Sequence, residues 1–246
     1  MGIRYSENYN VPFYESDRFK NMKVSSLLAV ALQISGEQSM RLGRSDVWVA
    51  EQFNYFWAVI EYELEIKRLP RFSEAIVIET EAVSYNKFFC YRNFWFKDTA
   101  GNLLVKVQST WVLMDKDSRK IERVLDEIVA PYESEKISKI LRPHKFLKID
   151  EMKNPLKMSY PVRFSDLDMN GHVNNAKYYD WAADTLDFDF REQHQPLKVY
   201  IKYNHEVLYG DEVVVLTELS EQYSTHDINN GSAQIEINWD EATYSE

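Results

Sequence analysis

The chain has 246 residues, 45% of them hydrophobic and 28% charged, with a formal net charge of −10. That composition belongs to a globular protein with one large core or two smaller ones, and the acidic balance excludes a general nucleic-acid binder. The single cysteine, Cys90, excludes an internal disulfide and fits a reducing cytoplasm, and no apolar run is long enough to span a bilayer.

In chain order, the first helix is predicted from Val24 to about Leu42. It carries Val24, Leu27, Leu28 and Ala31 on one side, with Val30, Leu32 and Ile34 on the others. A helix apolar nearly all round needs a covering, such as a curved sheet. Strands are predicted at Phe56–Lys67, Glu74–Val83, Phe88–Lys97 and Leu103–Met114, with the run Asp98 to Asn102 turning between the last two. Cys90 lies in the aromatic strand, where a small packing role is expected.

Between residues 136 and 148 the chain carries Lys136, Lys139, Arg142, Lys145 and Lys148 and no acidic residue. It reads as a solvated linker or a docking segment. A second helix is predicted from about Val173 to Leu186, followed by strands at Lys198–Val207, Glu212–Leu219 and Ala233–Trp239. Turns are expected at Tyr209-Gly210-Asp211 and Asn229-Asn230-Gly231. The order of short strand, helix and several strands thus occurs twice.

The halves also share residues. Ser, Asp, Asn and Val of Ser16–Val24 recur in Ser165–Val173 at a spacing of 149 (17 to 166, 24 to 173). At that spacing Phe19 faces Asp168, Lys23 faces His172, and Asp166, matching Asp17, reads as structural. Acid and imidazole therefore stand together only in the second half.

The segment Asp166-Leu167-Asp168-Met169-Asn170-Gly171-His172-Val173-Asn174-Asn175 concentrates the chemistry. It places carboxylates, amides and an imidazole where a strand-like run gives way to a helix, whose start offers unpaired N–H groups and a positive dipole end. Its opening also matches a calcium-binding loop. The twelfth position of that loop is Lys177 where a Glu is required, and strand-like residues precede it where a helix is required, so that reading fails. The five histidines lack zinc-type spacing, and neither a metal nor a cofactor is expected.

Asp-x-Asp-x-Asn-x-His-Val-Asn-Asn before a Tyr/Trp-bearing helix, in a duplicated chain, resembles the acyl-acyl carrier protein thioesterases. Leu64–Phe72 and Ser109–Asp115 are similar to that family too. The resemblance implies an α+β tandem (double) hotdog fold: two antiparallel sheets, each wrapped around a central helix. It sets the domains at 1–133 (acyl-chain binding), 134–155 (basic linker) and 156–246 (catalytic).

It further implies hydrolysis of fatty acyl-carrier thioesters by Asp168, Asn170, His172 and Glu206. Asn170 is expected to orient substrate or water, Glu206 and His172 to activate the water, and His172 to protonate the departing thiolate. Asp168 either holds its neighbours or attacks directly. Plant members have a cysteine after the glutamate, where this chain has Val207, so no thiol can act from that site. Asn174 and Asn175 are expected to cap the helix, and His205 to point away from Glu206 as its strand neighbour.

The expected partner is an acyl carrier protein, itself acidic. Lys136, Lys139, Arg142, Lys145 and Lys148, with Arg18, Lys20 and Lys23, are its candidate contacts. No stable membrane association is expected, and the chain is expected to be a monomer or a homodimer. An acyl-CoA thioesterase and a non-catalytic acyl-thioester binder are the alternatives.

Overall fold

A computed structural model describes residues 2–169 and 171–242. The chain divides into two compact units, the first running to Pro143 and the second from His144, apart from Val24–Ser26, which group with the second. Among the described residues no helix is long and apolar enough to cross a membrane.

Unit 1 contains β1 (Arg4–Asn10), α1 (Val24–Arg41), α2 (Asp46–Phe53), β2 (Tyr55–Ile66), β3 (Ala75–Tyr85), β4 (Cys90–Asp98), β5 (Leu103–Asp115), β6 (Ile121–Glu122), α3 (Asp126–Val129) and β7 (Glu135–Lys136). Its principal strands pair antiparallel in the order β1-β3-β4-β5-β2. Strand alternation puts Phe94 and Phe96 on the inner face of β4, both with no exposed surface. Leu27, Leu28 and Ala31 of α1 are equally enclosed. The turn after β4 forms as expected: the Asp98 side chain accepts the Ala100 and Asn102 N–H groups, and Gly101 takes a φ of +86° that a side chain would strain.

The expected linker is fastened along its length. β7 pairs parallel with β3, the Ile137 N–H reaches the Tyr85 carbonyl at 2.8 Å, and the Leu141 N–H reaches the Tyr91 hydroxyl at 3.2 Å. Further on, within unit 2, His144 stacks on Tyr200 and the buried Glu236 accepts the Leu147 N–H at 2.7 Å.

Unit 2 contains β8 (Leu156–Pro161), α4 (Asn175–Ala183), α5 (Phe188–Gln193), β9 (His194–Tyr203), β10 (Glu212–Ser220), β11 (Tyr223–Ile228) and β12 (Ala233–Glu241). Its strands pair antiparallel in the order β9-β12-β11-β10-β8. Three expectations need correction. α4 begins two residues later than expected, because Asn174 adopts a capping conformation and its side chain accepts the Ala176 N–H. β9 ends at Tyr203, so Glu206 and Val207 lie beyond the strand. β11 was not expected at all. Its sequence, Tyr-Ser-Thr-His-Asp-Ile, lacks apolar alternation, yet Ser224, Thr225, His226 and Asp227 are all buried.

Counting donors explains how that strand can be buried. The Thr185 hydroxyl donates to the Ala182 carbonyl at 2.7 Å, so in its 2.7 Å contact with Thr217 it accepts. Thr217 has then used its proton and must accept from His226 Nδ1 at 2.7 Å. Nε2 of a neutral ring takes the Ser224 proton at 2.8 Å, and Ser224 accepts from Trp239 Nε1 at 2.9 Å. One directed chain thus ties the last turn of α4 to β10, β11 and β12 around a neutral imidazole. Burial pushes the His226 pKa down to about 3.

Because the folded value lies below that of a free histidine, the unfolded chain binds a proton that the folded protein refuses. The contribution is complete above about pH 6.5 and is lost as pH falls, by about 1.4 kcal/mol per unit until the folded pKa is approached. Urea unfolding of His226→Gln should show an acid limb shallower by that amount than the parent protein; parallel limbs would exclude this origin.

Candidate functional site

His172 closes a tight turn. The Asp168 N–H donates to the His172 carbonyl at 2.7 Å, and the Gly171 N–H donates to the Asp168 carbonyl at 3.0 Å. The His172 N–H in turn donates to Asp168 Oδ1 at 3.1 Å. Leu167 and Val173 pair as an antiparallel bridge on either side. Gly171 adopts a φ of +81°, which lets the backbone reverse without a Cβ clash. Asn170, expected within the site, lies outside the described residues.

Beside the turn, the Asp166 carboxylate is buried and accepts the Arg163 N–H at 2.8 Å, while its carbonyl accepts the Asn174 N–H at 2.8 Å. Asp166 thus braces the entry to α4.

Glu206 arrives from the other side, on the irregular segment after β9. Its Oε1 lies 3.9 Å from His172 Nε2, with the two side chains 42% and 31% exposed, so they form an ion pair whenever the imidazole is protonated and both remain open to solvent. His205 was discounted on strand alternation. That argument does not hold, since residues 204 to 208 are not in a strand; its backbone N–H is used by the Ser232 carbonyl at 3.1 Å.

The segment is anchored at two points. The Leu208 N–H donates to Asp211 Oδ2 at 2.9 Å, and the Val207 N–H donates to the buried Tyr178 hydroxyl at 3.2 Å. Burial raises the Tyr178 pKa to about 12, with the Val207 N–H opposing the rise and the Glu206 charge adding to it. The phenol therefore stays protonated at neutral pH. Tyr203 donates to the Asn175 carbonyl at 2.8 Å.

Unit 1 contains the same turn, at a different spacing from the one expected. The Asp17 N–H donates to the Asn21 carbonyl at 2.8 Å, and the Asn21 N–H donates to Asp17 Oδ1 at 2.9 Å. Ser16 and Met22 form the flanking bridge, and Lys20 has a φ of +64°. The helix follows at Val24 as α4 does at Asn175. Asp17 therefore corresponds to Asp168 and Asn21 to His172, a spacing of 151 and not 149. The matched letters lie two residues out of structural register, and Asp166 has Glu15 as its counterpart: each carbonyl accepts the N–H eight residues on, from Lys23 and Asn174, at 2.8 Å.

A second correspondence follows from Glu74 and Asp211. Each carboxylate caps the residue three before it, Arg71 and Leu208, at 2.8 and 2.9 Å. Each carbonyl also accepts the N–H of the valine after the first strand, Val11 and Val162, at 3.1 and 2.9 Å. Glu206 thus stands where unit 1 has Leu69, and Val207 where it has Pro70. The same comparison sets Tyr178 against Leu27. Local sequence marks Tyr178 only as one aromatic residue of its helix; the repeat, taken at its structural spacing, marks it as a difference between the copies.

Cys90 is partly covered and packs beside Val49, Leu113, Ile128 and Val129. Burial pushes its thiol up to about 12, so the thiolate nucleophile is suppressed. Lys139, Arg142, Lys145 and Lys148 are exposed, and Lys136 pairs with Asp126 at 3.0 Å.

Known proteins match along nearly the whole chain. Residues 2–132 match the acyl-ACP thioesterase N-terminal domain and residues 149–241 the C-terminal domain. Oleoyl-acyl carrier protein thioesterase of Coriandrum sativum is 26% identical over 231 residues, covering 88% of this chain; this chain spans 63% of that relative's length. A crystal structure from Lactobacillus plantarum, assigned as an oleoyl thioesterase, is 33% identical with a TM-score of 0.93, covering 98% of each chain. The 12:0-ACP thioesterase of Umbellularia californica shares the fold with a TM-score of 0.84 at 17% identity, over 98% of this chain and 99% of that one. With both domain models matched in order, the chain belongs to the acyl-ACP thioesterase family, whose hotdog fold it shares.

Proposed function

We propose that this protein hydrolyses the thioester of a fatty acyl-acyl carrier protein, releasing the free acid and the carrier thiol, in the reducing cytoplasm expected from its lone cysteine. The observation that carries the reading is the 3.9 Å approach of His172 Nε2 to Glu206 Oε1, made in the copy whose counterpart holds Asn21 and Leu69. Each unit is read as one hotdog, its sheet wrapped around α1 or α4. The burial of Leu27, Leu28 and Ala31 in α1, and of Tyr178, Trp181 and Ala182 in α4, supports that reading.

In the proposed reaction, Glu206 and His172 take a proton from a water molecule as its oxygen bonds to the thioester carbon. Asn170 orients the water or the carbonyl. The tetrahedral oxyanion forms near the start of α4, where the helix dipole favours negative charge. Its collapse breaks the C–S bond, and His172 returns a proton to the thiolate. Asp168 acts as a positioning residue: Oδ1 already accepts the His172 N–H, and Asp17 holds the equivalent turn in a copy lacking the imidazole.

Acyl-carrier substrates of graded chain length, followed by thiol release, test the activity. Turnover of acyl-CoA but not acyl carrier protein would favour the CoA reading. His172→Ala and Glu206→Ala should each cut kcat by at least about a hundredfold with little change in melting temperature; near-normal turnover in either would remove the site. Asp168→Asn keeps an acceptor for the turn, so it should retain activity within about tenfold. A carboxylate nucleophile at Asp168 would instead make that variant inert. Cys90→Ser should hydrolyse at close to the parent rate; strong inactivation in a folded variant would restore a thiol role.

Docking of the acidic carrier is assigned to the basic residues at 139, 142, 145 and 148, with Lys136 and with Arg18, Lys20 and Lys23. Neutralising Lys139, Arg142, Lys145 and Lys148 together should raise KM for acyl carrier protein several-fold and leave small thioesters unaffected. An unchanged KM would move the docking surface elsewhere.

A further inference from the structure

Tyr178 is buried inside α4, yet its hydroxyl is committed to one backbone group outside the helix, the Val207 N–H. Val207 directly follows Glu206. The hydroxyl is also near enough to Glu206 for that charge to act on it. Position of the carboxylate and engagement of the phenol are therefore linked through a single peptide.

Unit 1 holds the equivalent segment differently. There the Met22 N–H donates to the Pro70 carbonyl at 2.7 Å, a backbone-to-backbone pin. Among the described residues no corresponding bond joins Val173 to Val207. Where unit 2 has the Tyr178 hydroxyl and the Val207 N–H, unit 1 has Leu27 and Pro70, which supply neither acceptor nor donor. Both ends of the bond are present in the copy with Glu206 and His172, and both are missing in the copy without them. The two copies therefore fasten this segment by different bonds, and the one made through a side chain lies next to Glu206.

We infer that Tyr178 is a positioning residue for Glu206: by accepting the Val207 N–H, its hydroxyl fixes the segment that carries the carboxylate and so sets its distance from His172. The irregular backbone between β9 and β10 cannot do this through a sheet ladder, and Glu206 itself is substantially exposed. Tyr203, donating to the Asn175 carbonyl, ties the end of β9 to the start of the same helix. Helix and segment are thereby held from two sides of the site. The inference rests on the catalytic reading of Glu206 proposed above.

The test is a double-variant cycle on one acyl thioester, with Tyr178→Phe, Glu206→Gln and the two combined. Tyr178→Phe removes one oxygen and should lower kcat about tenfold with KM changed by less than about twofold. In the Glu206→Gln background the same change should cost almost nothing further, because the group being positioned is gone. A full tenfold loss in both backgrounds, an unchanged kcat, or a change confined to KM would overturn the inference.

Amide hydrogen exchange of the parent protein supplies a reading independent of turnover and of the variant's folding. The Val207 N–H should be protected, and rapid exchange there would remove the anchor. If the parent protein released no thiol while Val207 remained protected, the proposed activity would fall and the positioning role with it, leaving the anchor as architecture. If Glu206→Gln were inactive and Tyr178→Phe fully active, the activity would stand and only this inference would fail.

Discussion

A carboxylate that accepts the N–H of a residue four positions later closes the turn on which the site is built. The Asp168 side chain meets the His172 amide while the Asp168 amide meets the His172 carbonyl, so both polar groups of the histidine backbone are engaged. An imidazole on such a residue has only its side-chain torsions left to vary. The charge on the acceptor strengthens the bond relative to a neutral one, and the left-handed Gly171 lets the reversal occur within so few residues. From the turn the chain passes directly into α4 through the Asn174 cap, so imidazole and helix start are fixed by the same short stretch.

The same construction in unit 1 separates scaffold from chemistry. Asp17 and Asn21 reproduce the bonds of Asp168 and His172, and Glu74 reproduces the capping of Asp211. On that frame the side chains differ, Asn21 for His172, Leu69 for Glu206, Leu27 for Tyr178 and Pro70 for Val207, and with the last pair the bond that fastens the segment differs too. These differences run together. The segment with the exposed glutamate is held through the Val207 N–H, whereas the segment with Leu69 is held by the Met22–Pro70 backbone bond and by burial of the leucine itself. Duplication therefore preserves the turn, which is a matter of backbone geometry, while the reactive groups are free to differ.

The sheet of unit 2 keeps α4 in place by different means. Its β11 buries serine, threonine, histidine and aspartate, an arrangement that would be costly if any group lacked a partner. The directed chain from Trp239 through His226 to the Ala182 carbonyl satisfies its members in sequence, and it reaches the end of the helix opposite the site. Apolar packing alone could let such a helix slide; a chain of directed bonds, each with one donor and one acceptor, specifies a single register.

Much of this was written in local sequence. The long helix and the strong strands of unit 1 follow from apolar runs, the turns at Gly101 and Asn229-Asn230-Gly231 from residues that tolerate left-handed backbone, and the candidate residues from the motif around His172. Three things were beyond its reach. β11 has no apolar period, because its burial is made possible by partners on β10, β12 and the segment after α4. The repeat was legible as matching letters at 149, but its spacing of 151 is a property of hydrogen bonds, and side-chain identities drift where backbone bonds do not. The Tyr178–Val207 bond, beside an approach of Glu206 to His172 that the family resemblance alone implied, joins residues some 30 positions apart. Such contacts arise only when a helix lies across its own sheet: local sequence determined which groups were available, and tertiary packing decided which of them meet.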